Sequence, residues 1–88
     1  CMEVYELVVV KGHEYSERAR KMVEERLNEG VLGEDASLKV IELKDRDDLN
    51  AAPYDLGIQK APALYVDGEW YEGLNKIWEY LRSLKDKK

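Results

Sequence analysis

The sequence predicts an α/β domain of βαβαββα order, built on a four-stranded mixed sheet of strand order 2-1-3-4 with helices on both faces. Three observations carry this expectation. An almost continuously apolar, β-branched run at Val4–Val10 is followed by a helical-period pattern and then by a second strand-like run, Leu38–Leu43. A strand, a helix and a strand in that order imply a right-handed parallel crossover, with the first strand buried on both faces. Two short runs, Ala63–Val66 and Glu69–Tyr71, flank Asp67-Gly68, a strong hairpin signal. Finally, Pro62 stands at the opening of the third strand. Proline cannot donate to a sheet ladder, so its place there marks a specific backbone turn.

Each element follows from local chemistry. Lys11-Gly12-His13 breaks the first strand. Tyr15, Ala19, Met22, Val23 and Leu27 then recur at helical spacing, with Arg18, Arg20, Lys21, Glu24 and Glu25 opposite them. Glu14 and Glu17 fall in the first turn, where the helix dipole favours negative charge. Asn28-Glu29-Gly30 ends this helix, and a loop runs through Asp35. Asp45 to Ala52 is weakly helical and is interrupted by Pro53, so a short, broken helix closing at Leu56-Gly57-Ile58 is expected. Leu74, Ile77, Trp78, Leu81 and Leu84 form the apolar face of a last helix, which assigns Trp78 to the core. On the fourth strand, alternation sends Trp70 and Tyr71 to opposite faces. Packing accounts for Trp70, Tyr71, Trp78 and Tyr80 better than a ligand box does.

Composition narrows the function classes. The 88 residues are 44% hydrophobic, which suits one small domain over residues 1–88 with a single folded core. A net charge of −5, with bases interleaved among acids, speaks against nucleic acid as a partner. No apolar run reaches the roughly 20 residues needed to cross a bilayer, and no secretory signal is visible at the start. The expectation is a soluble, cytoplasmic monomer. Lys85 to Lys88 read as a frayed, solvated end. Cys1 is the sole cysteine, so neither an intrachain disulfide nor a cysteine-rich metal site is expected. Met2 follows it as a natural start would, which makes Cys1 a candidate cloning remnant or labelling handle. The abundance of Glu, Lys and Arg suits either a thermophile or a designed sequence.

The segment Lys60-Ala61-Pro62-Ala63-Leu64-Tyr65-Val66-Asp67-Gly68, set beside His13-Glu14-Tyr15-Ser16, resembles the active-site proline strand and first-helix motif of thioredoxins and glutaredoxins. The resemblance spans almost the whole chain and implies a thioredoxin-like fold with a cis bond at Ala61-Pro62. In that family a Cys-x-x-Cys pair stands where this chain has His13 and Ser16, while Tyr15 keeps its place. Disulfide exchange requires a thiolate, which neither imidazole nor hydroxyl supplies. No dithiol reductase activity is therefore expected. His13, the lone histidine, has no partner residues at metal-ligand spacing and reads as a loop residue. Ser16 reads as an ordinary first-turn serine.

The chain also resembles the N-terminal half of glutathione transferases, a family in which a hydroxyl or thiol near this helix holds the glutathione sulfur; that resemblance makes Ser16 the candidate. Glu72-Gly73 stands where those enzymes carry a Glu-Ser pair. Gly73 and Asn75 approximate the turn that holds the glutamyl end of glutathione in glutaredoxins. A further resemblance, in the second strand, is to the KaiB family of clock proteins. The expected site is the old substrate groove, formed by Lys11, His13, Tyr15, Ser16, Lys60, Ala61, Pro62, Gly73 and Asn75, with no metal. The expected function is a redox-inactive binding module for a peptide or protein. The alternatives are a glutathione-binding or transferase-like enzyme using Ser16, and a designed scaffold without a natural ligand.

Overall fold

A computed structural model describes residues 3–50 and 55–86. Cys1, Ala52, Pro53 and Lys88, on which parts of the sequence reading rest, lie outside the described residues, as do the side chains of Lys85 and Asp86. The elements run β1 (Val4–Val10), α1 (Glu14–Asn28), β2 (Ser37–Leu43), a 3-10 helix (Arg46–Asn50), β3 (Ala63–Val66), β4 (Glu69–Glu72) and α2 (Leu74–Asp86). The four strands form one sheet of order β2-β1-β3-β4. β1 pairs with β2 in parallel, Leu7 opposite Val40, and with β3 antiparallel, Leu7 opposite Leu64. β3 and β4 form the expected hairpin through Asp67 and Gly68, both at positive φ as a tight hairpin turn requires. This is the thioredoxin-like topology, and the Ala61-Pro62 bond is cis.

Alternation along β1 divides the core into two. Tyr5, Leu7 and Val9 join Leu64 and Val66 on one face, where Ala19 and Val23 of α1 and Ile77 and Leu81 of α2 cover them. Val8, Val10, Leu43 and Ala63 face the other way and are covered by Leu49 of the 3-10 helix, Ile58 and Ala61. Helical structure thus lies on both faces, but unequally. Both α-helices pack on one face, and among the described residues a 3-10 turn and an irregular segment cover the other.

Trp70 and Tyr71 take opposite faces, as alternation predicts. Trp70 packs on the second core with its ring 4.9 Å from Tyr65, and Tyr71 packs on the first with its ring 4.4 Å from Tyr80. The assignment of Trp78 to the core is corrected: its side chain is 46% exposed. Ile77 and Leu81, a turn apart, already fill the sheet-facing stripe, and Trp78 is one position round from it. Its indole instead carries the Arg82 guanidinium at 5.2 Å. The face of α1 is corrected in the same way. Ser16, Ala19 and Val23 are buried, while Tyr15 is 53% exposed.

Candidate functional site

The site is assembled where three chain junctions meet: the β1–α1 turn, the segment entering β3, and the β4–α2 turn. At the first junction the Lys11 amide donates to the Leu43 carbonyl at 2.8 Å, holding the end of β1 to β2. Gly12 turns the chain at φ +76°, a conformation that glycine adopts at little cost. His13 is the N-cap of α1, but its side chain makes no capping bond. Instead its Nδ1 lies 3.0 Å from Ser16 Oγ, and its ring meets Tyr15 edge-on at 5.7 Å.

Ser16 is fully buried, which is unusual for a serine and has a clear cause. Its Oγ accepts the Val10 backbone N–H at 3.0 Å, supplying the acceptor that this amide needs at the end of the strand. The same hydroxyl meets His13, so Ser16 joins strand, turn and helix. A hydroxyl engaged on two sides and shielded from solvent is built for holding the β1–α1 junction together.

At the second and third junctions one side chain does the joining. Glu72 Oε1 accepts the backbone N–H groups of Gln59 and Lys60 at 2.9 and 3.2 Å. Beside it, the Gly73 amide donates to the Pro62 carbonyl at 2.7 Å. These three bonds fix the entry to β3 against the start of α2. Pro62 itself is buried, and Ala61 belongs to the second core.

Between these junctions lies a cavity of about 540 Å3 lined by Tyr15, Arg18, Lys60, Glu72, Gly73, Leu74, Asn75 and Lys76. It brings together Tyr15, Lys60, Gly73 and Asn75 of the expected groove. Lys11 and Ser16 instead border a separate recess of about 230 Å3, with Gly12, Arg20 and Glu42. His13 sits beside Tyr15, and Ala61 and Pro62 form the buried wall behind Lys60.

Three cations, Arg18, Lys60 and Lys76, surround the larger cavity, together with the N-terminus of α2, whose first amides carry partial positive charge. Arg18 is shared with Glu14 through an exposed pair at 2.9 Å. The expected groove left out Glu72, which the transferase resemblance had singled out, and also Arg18 and Lys76. Arg18 stands three residues after Tyr15 and Lys76 three after Gly73, so helical spacing is the signal that could have found them.

Comparison with known proteins finds no family model that matches the chain, and no curated protein that matches it. The fold and the geometry of the cavity therefore carry the functional reading.

Proposed function

We propose that the domain is a redox-inactive binding module on a thioredoxin-like scaffold, descended from or patterned on a glutaredoxin-like ancestor. The groove between Tyr15 and the Lys60–Pro62 segment takes an extended stretch of a peptide or protein partner. One observation carries this reading: half-exposed Tyr15, Lys60, Gly73 and Asn75 converge on a single cavity of about 540 Å3 at the edge of a rigidly bonded turn. His13 and Ser16 hold the positions where a thiol pair would act, and the sole cysteine precedes β1. Disulfide chemistry has no nucleophile there.

A second reading, glutathione binding, is favoured by the cations and the α2 N-terminus around the cavity, which suit carboxylates. The burial of Ser16 and its two engaged bonds speak for the binding module over a transferase that activates sulfur through this hydroxyl.

The deciding experiment is an NMR titration of the isotope-labelled chain with reduced glutathione and, separately, with a random-peptide library enriched on the immobilised protein. Enriched peptides should shift the amides of Tyr15, Lys60 and Gly73, and Tyr15→Ala should weaken them by about 1 kcal/mol or more. Saturable binding of glutathione alone would transfer the assignment to the second reading. Binding confined to the Gly33–Asp35 loop would remove the groove from consideration.

A further inference from the structure

We infer that the partner segment is acidic, and that its docking surface continues past the cavity along the outer face of α2 to Trp78. The inference rests on the groove reading above and adds the partner's chemistry and a second anchor. Among the described residues three large hydrophobic side chains are exposed: Val4, Tyr15 and Trp78. Tyr15 lines the cavity, and so does Leu74 at the start of α2. Trp78 stands one helical turn beyond Leu74 on the same stripe, and Arg82 one turn beyond Trp78. The cavity therefore runs into an aromatic surface with no break in the helix.

The Arg82 guanidinium lies over the exposed indole, 5.2 Å from its centroid. A tryptophan and an arginine that share a surface are the residue types that dominate binding hot spots.

Charge selects the occupant. The chain carries a net charge of −5, yet Arg18, Lys60 and Lys76 gather around this cavity. Opposing them, Glu72 commits one carboxylate oxygen to two backbone amides, and Glu14 pairs with Arg18. The α2 N-terminus adds positive potential at the same spot. A segment bearing a few carboxylates and one or two apolar residues satisfies both features. A nucleic acid is disfavoured because the overall acidic field repels a long polyanion and the cations form a cluster, not a track.

The test titrates the isotope-labelled full chain at low ionic strength with three probes. These are a decapeptide of Glu, Asp, Leu and Phe, its charge-reversed Lys counterpart, and a ten-nucleotide oligothymidine. The acidic peptide should move the amides of Gly73 to Lys76 and the indole N–H of Trp78, and its affinity should fall as salt rises. Trp78→Ala should weaken it about five- to tenfold with the circular dichroism unchanged, and Lys76→Glu by a similar factor. If the cavity amides move while the indole does not, and Trp78→Ala is neutral, the extended surface is overturned and the groove reading stands. Equal binding of the basic peptide, or tighter binding of the oligonucleotide, overturns the acidic partner. If neither peptide touches the cavity, the groove reading falls as well.

Discussion

The two faces of the sheet are built from alternate residues of the same strands, yet they are closed by different means. On the face of Tyr5, Leu7 and Val9, two α-helices of 15 and 13 residues lay down apolar stripes. On the face of Val8 and Val10, the cover is a five-residue 3-10 helix and an irregular segment. That cover is pinned by individual polar bonds: Asn50 Nδ2 to the Ile58 carbonyl at 2.9 Å, the Leu56 amide to the Leu49 carbonyl at 2.9 Å, and Glu72 to two amides. Both faces bury apolar side chains, but the cover of the second also depends on a few directional contacts. The cavity lies between the two kinds of structure, with Tyr15 and Arg18 of α1 and Leu74 to Lys76 of α2 on one side and Lys60 of the pinned segment on the other.

Truncation of one core residue on each face gives the largest expected effects. Ile77→Ala, between α2 and the sheet, should cost about 3–5 kcal/mol, because neighbours held in two helices relax little around the gap. Ile58→Ala removes the same atoms from the other face and should cost about 2–3 kcal/mol, since an irregular segment collapses more readily. Chemical denaturation of both variants measures the pair, and equal losses would break the distinction between the faces.

Ser16→Ala comes next. It leaves the buried Val10 N–H without its acceptor and should cost about 1–3 kcal/mol, with amide exchange fastest at Val10 and His13. Replacement by Thr keeps the hydroxyl but crowds the fully buried site, so rescue should be partial. Glu72→Ala should cost about 1–2 kcal/mol and act locally. Hydrogen exchange at Gln59 and Lys60 should speed up while the α1 and α2 amides keep their protection. A loss spread evenly over both faces would show that the pinned segment and the helical core unfold as one.

The smallest effect at neutral pH belongs to the tyrosines on the helical face. Burial, followed by hydrogen bonding and charge repulsion with Tyr5, raises the Tyr80 phenol well above its usual value of 10.0. Tyr5 and Tyr71 are raised too, each first by burial. The unfolded chain then loses these protons at lower pH than the folded one. Their contribution is complete below pH 10 and is lost as pH rises from there toward the folded-state values. Tyr80→Phe should flatten the fall in stability above pH 10, as measured by denaturation at several alkaline pH values.

Much of the fold was legible because β1, α1, β2 and the hairpin each announce their period or turn residues independently. The cis bond came through the resemblance carried by the Pro62 segment. The errors sit where one position decides a face. Tyr15 and Trp78 look like core residues by helical spacing, but each is the neighbour of the residue that points inward, Ser16 and Ile77. A serine in the core is invisible to hydrophobic periodicity, because it is there to accept one amide. The second helix was read as weak and broken, and in its described part a 3-10 turn spans Arg46–Asn50. Arg18 and Lys76 were left out of the expected groove for a different reason. Arg18, Lys60 and Lys76 lie on three separate segments, and only the packing of α1 and α2 beside the β3 entry brings them together.

The placement of β1 at the centre of the sheet also shapes the order in which the molecule can be completed. A growing chain offers β1, α1 and β2 early, and their parallel pairing closes one edge of β1 as soon as β2 emerges. The other edge waits for β3, which lies far along the chain. Until then a strand carrying Leu7, Val8 and Val9 presents an open row of backbone groups with a greasy side on either face. A substitution that breaks the Asp67-Gly68 turn would therefore be expected to expose an apolar strand edge and raise the tendency to pair with the wrong neighbour.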